Sequence, residues 1–249
     1  MFDRFNQSGT WIDYDSDREI QKKALRIAEL MPSDVKTVLD VGCGNGIITN
    51  LLIEKYDVTG LDSSLEALEN VKAKKVLSSA SELPFPDNSY DLVLSSEMLE
   101  HLTDNELNKV RNEIVRVARK YIMITVPESE YLPRSYCKCP NCDAIFHVWQ
   151  HLQSFSKSRL ESLFLRDFKI LHYETLGSRQ KQWIPQLISL KHALGQWMHP
   201  GAKGICPVCG NIYFPKNRKN LLTKAVNFLN LVLSGHKSYW QLLLFEKNR

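Results

Sequence analysis

The segment Asp40-Val41-Gly42-Cys43-Gly44-Asn45-Gly46 sets one carboxylate and three alternating glycines directly after the apolar pair Val38-Leu39. An apolar run ending in an acid reads as a buried parallel strand, and Ile47, Ile48, Leu51 and Leu52 keep helical spacing behind it. A strand, a glycine turn and a helix let a ligand approach the backbone at a helix N-terminus, where a nucleotide-like cofactor sits. A phosphate-cradling P-loop is excluded, because no Lys-Ser/Thr pair follows Gly46. The dinucleotide fingerprint G-x-G-x-x-G is not met either, since the third glycine comes one residue early. A second acid, Asp62, closes the run 57–62. It lies about twenty residues beyond the glycines, where nucleotide-binding βαβ units use a carboxylate to hold ribose hydroxyls.

A different chemistry is written in the cysteines. Cys43 lies inside the glycine loop, where a small residue fits and no thiol reaction is needed. The other five cluster as C-K-C-P-N-C (Cys137, Cys139, Cys142) and C-P-V-C-G (Cys206, Cys209). Two C-P-x-C knuckles are a zinc pattern more than a redox one. The expected structural, tetrahedral Zn²⁺ is held by Cys139, Cys142, Cys206 and Cys209. Cys137 is then a spare thiol, and it, His147 or His151 are the alternatives for any one of those ligands. The gap between the knuckles exceeds that of a compact zinc finger, so the site must join two separate loops.

The glycine loop read as D-x-G-x-G-x-G resembles the first motif of the class I S-adenosylmethionine (SAM) dependent methyltransferases. Three later segments extend the likeness: Asp62 at its strand end, the run 78–93 (SSASELPFPDNSYDLV), and Ser95-Ser96-Glu97-Met98-Leu99-Glu100-His101-Leu102. The last resembles the "vLeHl" segment of the small-molecule branch, the type 11 enzymes. The resemblance implies SAM as cofactor and a binding set of Asp40, Gly42, Cys43, Gly44, Gly46, Asp62, Ser63, Ser79, Ala80 and Ser96. Within it Asp40 serves the methionine end, Asp62 the ribose, and Ser79 and Ala80 the adenine. One departure stands out: the family often has Asp where this chain has Ser79. His101 follows the fourth strand and is a candidate base, although the family's histidine there occurs with varied acceptors, which favours a structural or cofactor-side role. Glu128, His147 and His151 are further candidates, and the catalytic residue stays open.

These residues need a scaffold. Apolar spacing predicts helices over 18–30, 104–118 (with Asp104 as its cap), 156–165 and 220–233, and strands near 37–41, 57–61, 75–78, 90–95, 121–126, 168–176 and 238–246. Alternating strands and helices argue an α/β, doubly wound, Rossmann-like fold. The family resemblance makes its sheet seven-stranded and mostly parallel, order 3-2-1-4-5-7-6, with a small zinc-stapled insertion. The expected organisation is an N-terminal segment and helix (1–35, with Trp11 and Tyr14), a SAM-binding core (36–127), and a first knuckle insertion (128–151). A core helix and strand (152–177), a basic second knuckle insertion (178–236) and a final core strand (237–249) follow. Both insertions leave the sheet at its carboxyl edge, where ligands bind in open α/β folds. A zinc between them would staple a lid beside the cofactor without joining the chemistry.

The net charge of +4 hides an asymmetry: residues 178–249 hold eleven Lys/Arg against the single acid Glu246. Such a basic region suits nucleic acid, an anionic membrane surface or a phosphorylated substrate, or serves only as a solvated face. No run reaches the roughly 18–20 apolar residues that span a bilayer, and the polar start is no signal peptide, so a cytoplasmic protein is expected. Helix 220–233, beside Lys219 and Lys224, packs on its own domain or lies at an interface with a membrane or lipid-linked substrate. The expected activity is methyl transfer from SAM to a small-molecule, sugar or lipid-linked acceptor, plausibly on oxygen. RNA is the alternative acceptor, and a non-catalytic SAM-binding or zinc-ribbon module the alternative class. Ser95-Ser96-Glu97-Met98 stands where amino-methyltransferases of nucleic acids carry N/D-P-P-Y/F/W, which disfavours nucleobase amines. The acceptor and the oligomeric state are left open.

Overall fold

The computed structural model describes residues 17–201, 204–216 and 221–248. Trp11, Tyr14, Lys219 and Asn220, named above, lie outside them. Nine strands and seven α-helices are formed among the described residues. The helices are α1 (Arg18–Glu29), α2 (Ile47–Leu52), α3 (Leu65–Leu68), α4 (Asp104–Val117), α5 (Lys157–Phe164), α6 (Pro185–Ala193) and α7 (Leu221–Leu233). The strands are β1 (Thr37–Val41), β2 (Asp57–Asp62), β3 (Lys74–Leu77), β4 (Tyr90–Ser96), β5 (Ala118–Pro127), β6 (Tyr136–Lys138), β7 (Ile145–His147), β8 (Phe168–Lys181) and β9 (His236–Lys247).

Seven strands make one sheet in the order β3-β2-β1-β4-β5-β9-β8. β3, β2, β1, β4 and β5 pair in parallel, and β9 runs antiparallel between β5 and β8. The doubly wound, mostly parallel topology is therefore the one expected. Strands buried on both faces split their apolar side chains between two cores, as a period of two requires. Leu39, Val41 and Val93 pack with α4 and α5 through Leu107, Ile114 and Phe164, while Val38, Leu92 and Leu94 meet Ile27 of α1 and Leu52 of α2.

Local chemistry sets the helix ends. Asp17 caps α1 by accepting from the amides of Glu19 and Ile20. The cap of α4 is Thr103, not Asp104: Thr103 Oγ1 accepts from the Glu106 amide, and the Glu106 carboxylate accepts in return from the Thr103 amide. That reciprocal box satisfies two end donors at once and moves the boundary by one residue. Two expected strands are longer than their apolar cores. β5 starts at Ala118, and β8 runs on to Lys181 through two register shifts. β6 and β7 pair as a separate antiparallel hairpin carrying the first cysteine knuckle. Helix α7 is present from Leu221, but only Thr223, Val226 and Asn230 are buried on it. Leu221 (83% exposed), Phe228 (62%) and Leu231, Val232 and Leu233 face outward.

Candidate active site

The glycine turn is held by the neighbouring strand. The amides of Gly42 and Cys43 both donate to the Leu61 carbonyl, at 2.8 and 3.0 Å, and the Gly46 amide closes the turn onto the Cys43 carbonyl. Gly42 and Gly46 have φ of +73° and +82°, a region that L side chains avoid. A Cβ at Gly42 would also lie 2.6 Å from Met98 Cγ, and one at Gly46 2.9 Å from Val71 Cγ2. Glycine is thus required twice over at each position. Gly46 caps α2, so the helix begins where the turn ends.

Asp62 faces this turn. One carboxylate oxygen accepts from the Gly44 amide and the other from the Ser64 amide, both at 2.9 Å. It fixes the far wall of the turn while standing at the carboxyl end of β2. Asp40 lies deeper, 1% exposed, and accepts from Thr49 Oγ1 at 2.6 Å. Burial, opposed by Thr49, lifts its carboxyl to about 7. Cys43 packs against Gly60 and its thiol is pushed up, mainly by burial, which disfavours the reactive thiolate. Ser63 is exposed beside Asp62. Ser79 Oγ pairs with Ser81 Oγ at 2.8 Å and accepts from the Ser81 amide, with Ala80 next to it. Ser96 Oγ lies 2.8 Å from Thr125 Oγ1 across β4 and β5. All ten residues of the expected cofactor set belong to the glycine turn or to the carboxyl ends of β1 to β4 and the segments that follow them.

Beyond β4 the chain turns sharply at Glu97, with φ +56°. Its carboxylate accepts from the Trp240 indole N–H and lies 3.6 Å from Lys23 Nζ. Lys23, only 4% exposed, also sits 4.4 Å over the Trp240 ring. This trio joins α1, β9 and the site edge. Its one sequence signal is Lys23 itself, which occupies the apolar stripe of α1 between Ile20 and Ile27. Nearby, a cavity of about 740 Å³ opens among Glu128, Tyr131, Arg134, Trp149, Trp183 and Trp240. The glycine turn does not line it, so cavity and turn are neighbouring features of one sheet edge rather than a single pocket.

His101 is half-buried beside His151, ring centroids 4.8 Å apart, and its Nδ1 lies 3.4 Å from the Gln150 carbonyl. Burial, with the neighbouring His151, depresses its pKa to about 3. That makes it a weak proton acceptor, a poor property for a general base near neutral pH. His147 and His151 stack at 4.5 Å and share Glu130, at 3.2 and 2.5 Å. Burial raises the Glu130 carboxyl, but the hydrogen bonds from His147 and His151 outweigh it and bring the group to about 2.

The four expected metal thiols converge. Cys139 Sγ lies 3.6 Å from Cys209 Sγ, Cys142 Sγ 3.6 Å from Cys206 Sγ, and all four lie within 4.8 Å of one another. Such spacings are far above a disulfide bond and close to the edge of about 3.8 Å of a tetrahedron with Zn–S bonds of about 2.3 Å. The two knuckles repeat the same turn. Cys139 O accepts from the Asp143 amide and Cys206 O from the Gly210 amide, at 3.1 and 2.9 Å. The amides of the same two cysteines donate to Ala144 O and Asn211 O, both at 2.9 Å. The residue four beyond each first cysteine has positive φ, Asp143 at +57° and Gly210 at +72°. Cys137 is buried beside the cluster, its thiol pushed up to about 12 chiefly by burial, and neither it nor a histidine joins the four sulfurs.

Sheet order, glycine turn and Asp62 together define the class I SAM-dependent methyltransferase fold. Residues 39–121, a third of the chain, match the family described as Methyltransferase domain. An uncharacterised protein of Methanocaldococcus jannaschii is 31% identical over 158 residues, 61% of each chain. A ubiquinone biosynthesis O-methyltransferase of Rickettsia bellii is 33% identical over 97 residues, 35% of this chain and 40% of the relative. The chain thus spans less than two thirds of either relative's length. A SAM-dependent methyltransferase from Archaeoglobus fulgidus shares the fold, with TM-score 0.56, 18% identity, and coverage of 95% of this chain and 97% of that one.

Proposed function

We propose that the chain transfers the methyl group of SAM to an oxygen of a small-molecule or lipid-linked acceptor. The observation that carries this reading is Asp62 fixed by the Gly44 and Ser64 amides at the end of β2. A carboxylate held there suits the ribose hydroxyls of a nucleoside cofactor, with Ser63, Ser79, Ala80 and Ser96 along the same edge. Asp40, beneath the turn, serves the methionine end through Thr49 and the loop rather than by open contact. The cofactor supplies the electrophilic methyl, and the chain's task is to orient the acceptor against it.

The four cysteines suit a structural Zn²⁺ that ties the two insertions together beside that edge. The acceptor class follows from the surroundings. The cavity wall mixes aromatic side chains (Tyr131, Trp149, Trp183) with charged ones (Glu130, Arg134, Lys237), and Leu233, at the end of the outward-facing apolar α7, lines it. An amphipathic acceptor, with an apolar body and a polar end as in a lipid-linked molecule, fits such a mouth. No helix among the described residues is long and apolar enough to cross a membrane. Incubation of purified protein with methyl-labelled SAM and fractionated cell extract tests the reading. Label should pass to a lipid-extractable or small-molecule fraction, and label recovered only in RNA, or none transferred, would refute it.

A further inference from the structure

Behind the site edge lies a second group of metal-ligating side chains, apart from the cysteines. Glu100 is 1% exposed, and neither of its carboxylate oxygens has a hydrogen-bond partner among the described residues. One oxygen of Glu100 and one ring nitrogen each of His101 and His151 lie within 4.8 Å of one another. A buried carboxylate without donors is costly unless something positive meets it.

The hydrogen bonds around the histidines assign their ring protons. His151 Nδ1 is bound to Glu130, and His101 Nδ1 lies against the Gln150 carbonyl, so both rings carry their proton on Nδ1 and their lone pair on Nε2. His147 is arranged differently. Its Nδ1 accepts from the amides of Trp149 and His151, and its Nε2 donates to Glu130, so both nitrogens are used. His147 and Glu130 therefore form a support behind His151, the carboxylate–histidine arrangement that orients metal-bound imidazoles. The backbone fixes the two halves together: the Leu152 and Gln153 amides both donate to the Glu100 carbonyl, at 2.7 and 3.0 Å.

We propose that Glu100, His101 and His151 form a binding site for a divalent first-row transition ion, distinct from the four-cysteine site. Two imidazoles and one carboxylate leave coordination positions for water or an oxygen ligand. The site is composite: Glu100 and His101 follow β4 of the sheet, whereas His151 is delivered by the hairpin segment that also carries Cys139 and Cys142. An ion here would hold an acceptor oxygen at the sheet edge, a role that rests on the methyltransferase reading; the binding itself does not.

Mn²⁺ is the suitable probe, because it prefers nitrogen and oxygen donors and leaves a thiolate site to zinc. Purified full-length protein with its cysteine site zinc-loaded should bind one Mn²⁺ saturably, followed as loss of the free-ion electron paramagnetic resonance signal. Glu100→Gln and His151→Asn should each weaken that binding at least tenfold with zinc content unchanged, and Glu130→Gln should weaken it less. Co²⁺ added to the same zinc-loaded protein should give ligand-field bands of nitrogen and oxygen coordination without thiolate charge-transfer bands, a test that needs no variant to fold. Absence of saturable Mn²⁺ and Co²⁺ binding by the wild-type protein would overturn the proposal, as would binding unchanged in both variants. Neither readout involves turnover, so this site can fail while methyl transfer stands, and the reverse.

Discussion

Asp62→Ala is the most direct perturbation of the cofactor assignment. In the structure each carboxylate oxygen already takes one backbone amide at 2.9 Å, from Gly44 and from Ser64. A carboxylate oxygen accepts more than one hydrogen bond, so the same group can hold the turn and two ribose hydroxyls together. Bonds to a charged acceptor contribute about 1.5–3 kcal/mol each. With a discount for the partial exposure of Asp62, the loss in cofactor binding comes to about 2–3 kcal/mol. At about 1.4 kcal/mol per decade, SAM affinity should fall by roughly 30-fold to 140-fold. Titration calorimetry with SAM and with S-adenosylhomocysteine measures it directly. Asp62→Asn separates the two roles: its –NH₂ must confront either the Gly44 or the Ser64 N–H, so the melting temperature should fall along with affinity. A folded Asp62→Ala protein that binds SAM as tightly as the wild type would refute the ribose assignment.

Gly42→Ala should cost about 1–3 kcal/mol of stability, because the new methyl meets Met98 at 2.6 Å and φ is +73°. Gly195→Ala is the control, with φ +70° but nothing within 4 Å; equal losses in denaturant melts would remove the packing argument. Asp91 governs acid stability. Burial raises its pKa, but the amides of Lys36 and Thr37 and the Arg119 guanidinium outweigh it, so the folded value lies below the usual carboxylate range. Its contribution is present above the unfolded pKa of about 4 and is lost as pH falls through the folded value. The gap in stability between wild type and Asp91→Asn should therefore shrink below about pH 4, and a gap independent of pH would contradict this. Metal analysis should give about one zinc per chain at the cysteines. Cys206→Ser should lower the melting temperature more than SAM affinity, and the opposite result would place that metal in the cofactor site.

The middle of the sheet was legible because β1, β4, β5 and the centre of β9 are buried on both faces and read as apolar runs, from Val38-Leu39 to the Leu242–Phe245 stretch of β9. The convergence of the cysteines was legible for another reason: each C-P-x-C encodes its own turn, whatever lies between. β6 and β7 escaped notice, since three residues are too few to show a period. α6 spreads its apolar residues around the helix and buries only Ile188, so no face announces it. The Glu100–His101–His151 group could not be read as a unit. His151 lies fifty residues beyond the adjacent pair Glu100 and His101, and no local pattern states that Leu152 and Gln153 will hang from the Glu100 carbonyl. The charge on Glu97 was visible, but its partners Lys23 and Trp240 come from opposite ends of the chain.

The placement of β9 has a consequence for how the molecule is assembled. β8 precedes β9 in the chain, yet its only sheet partner among the described residues is β9, which also pairs along seven residues of β5, from Tyr121 to Pro127. Until residues 236–247 arrive, β5 presents an open edge of backbone donors and acceptors, and β8 has nothing to pair with. The second knuckle, at Cys206 and Cys209, lies between these two strands in the chain. Closing the sheet therefore waits on β9, which joins β8 to β5 through contacts distant in sequence, a long-range closure that topology makes slow. Up to that moment the exposed edge of β5 is open to another chain. Shortening β9 from its far end should accordingly be seen first as aggregation during refolding, before any loss of cofactor affinity is measured.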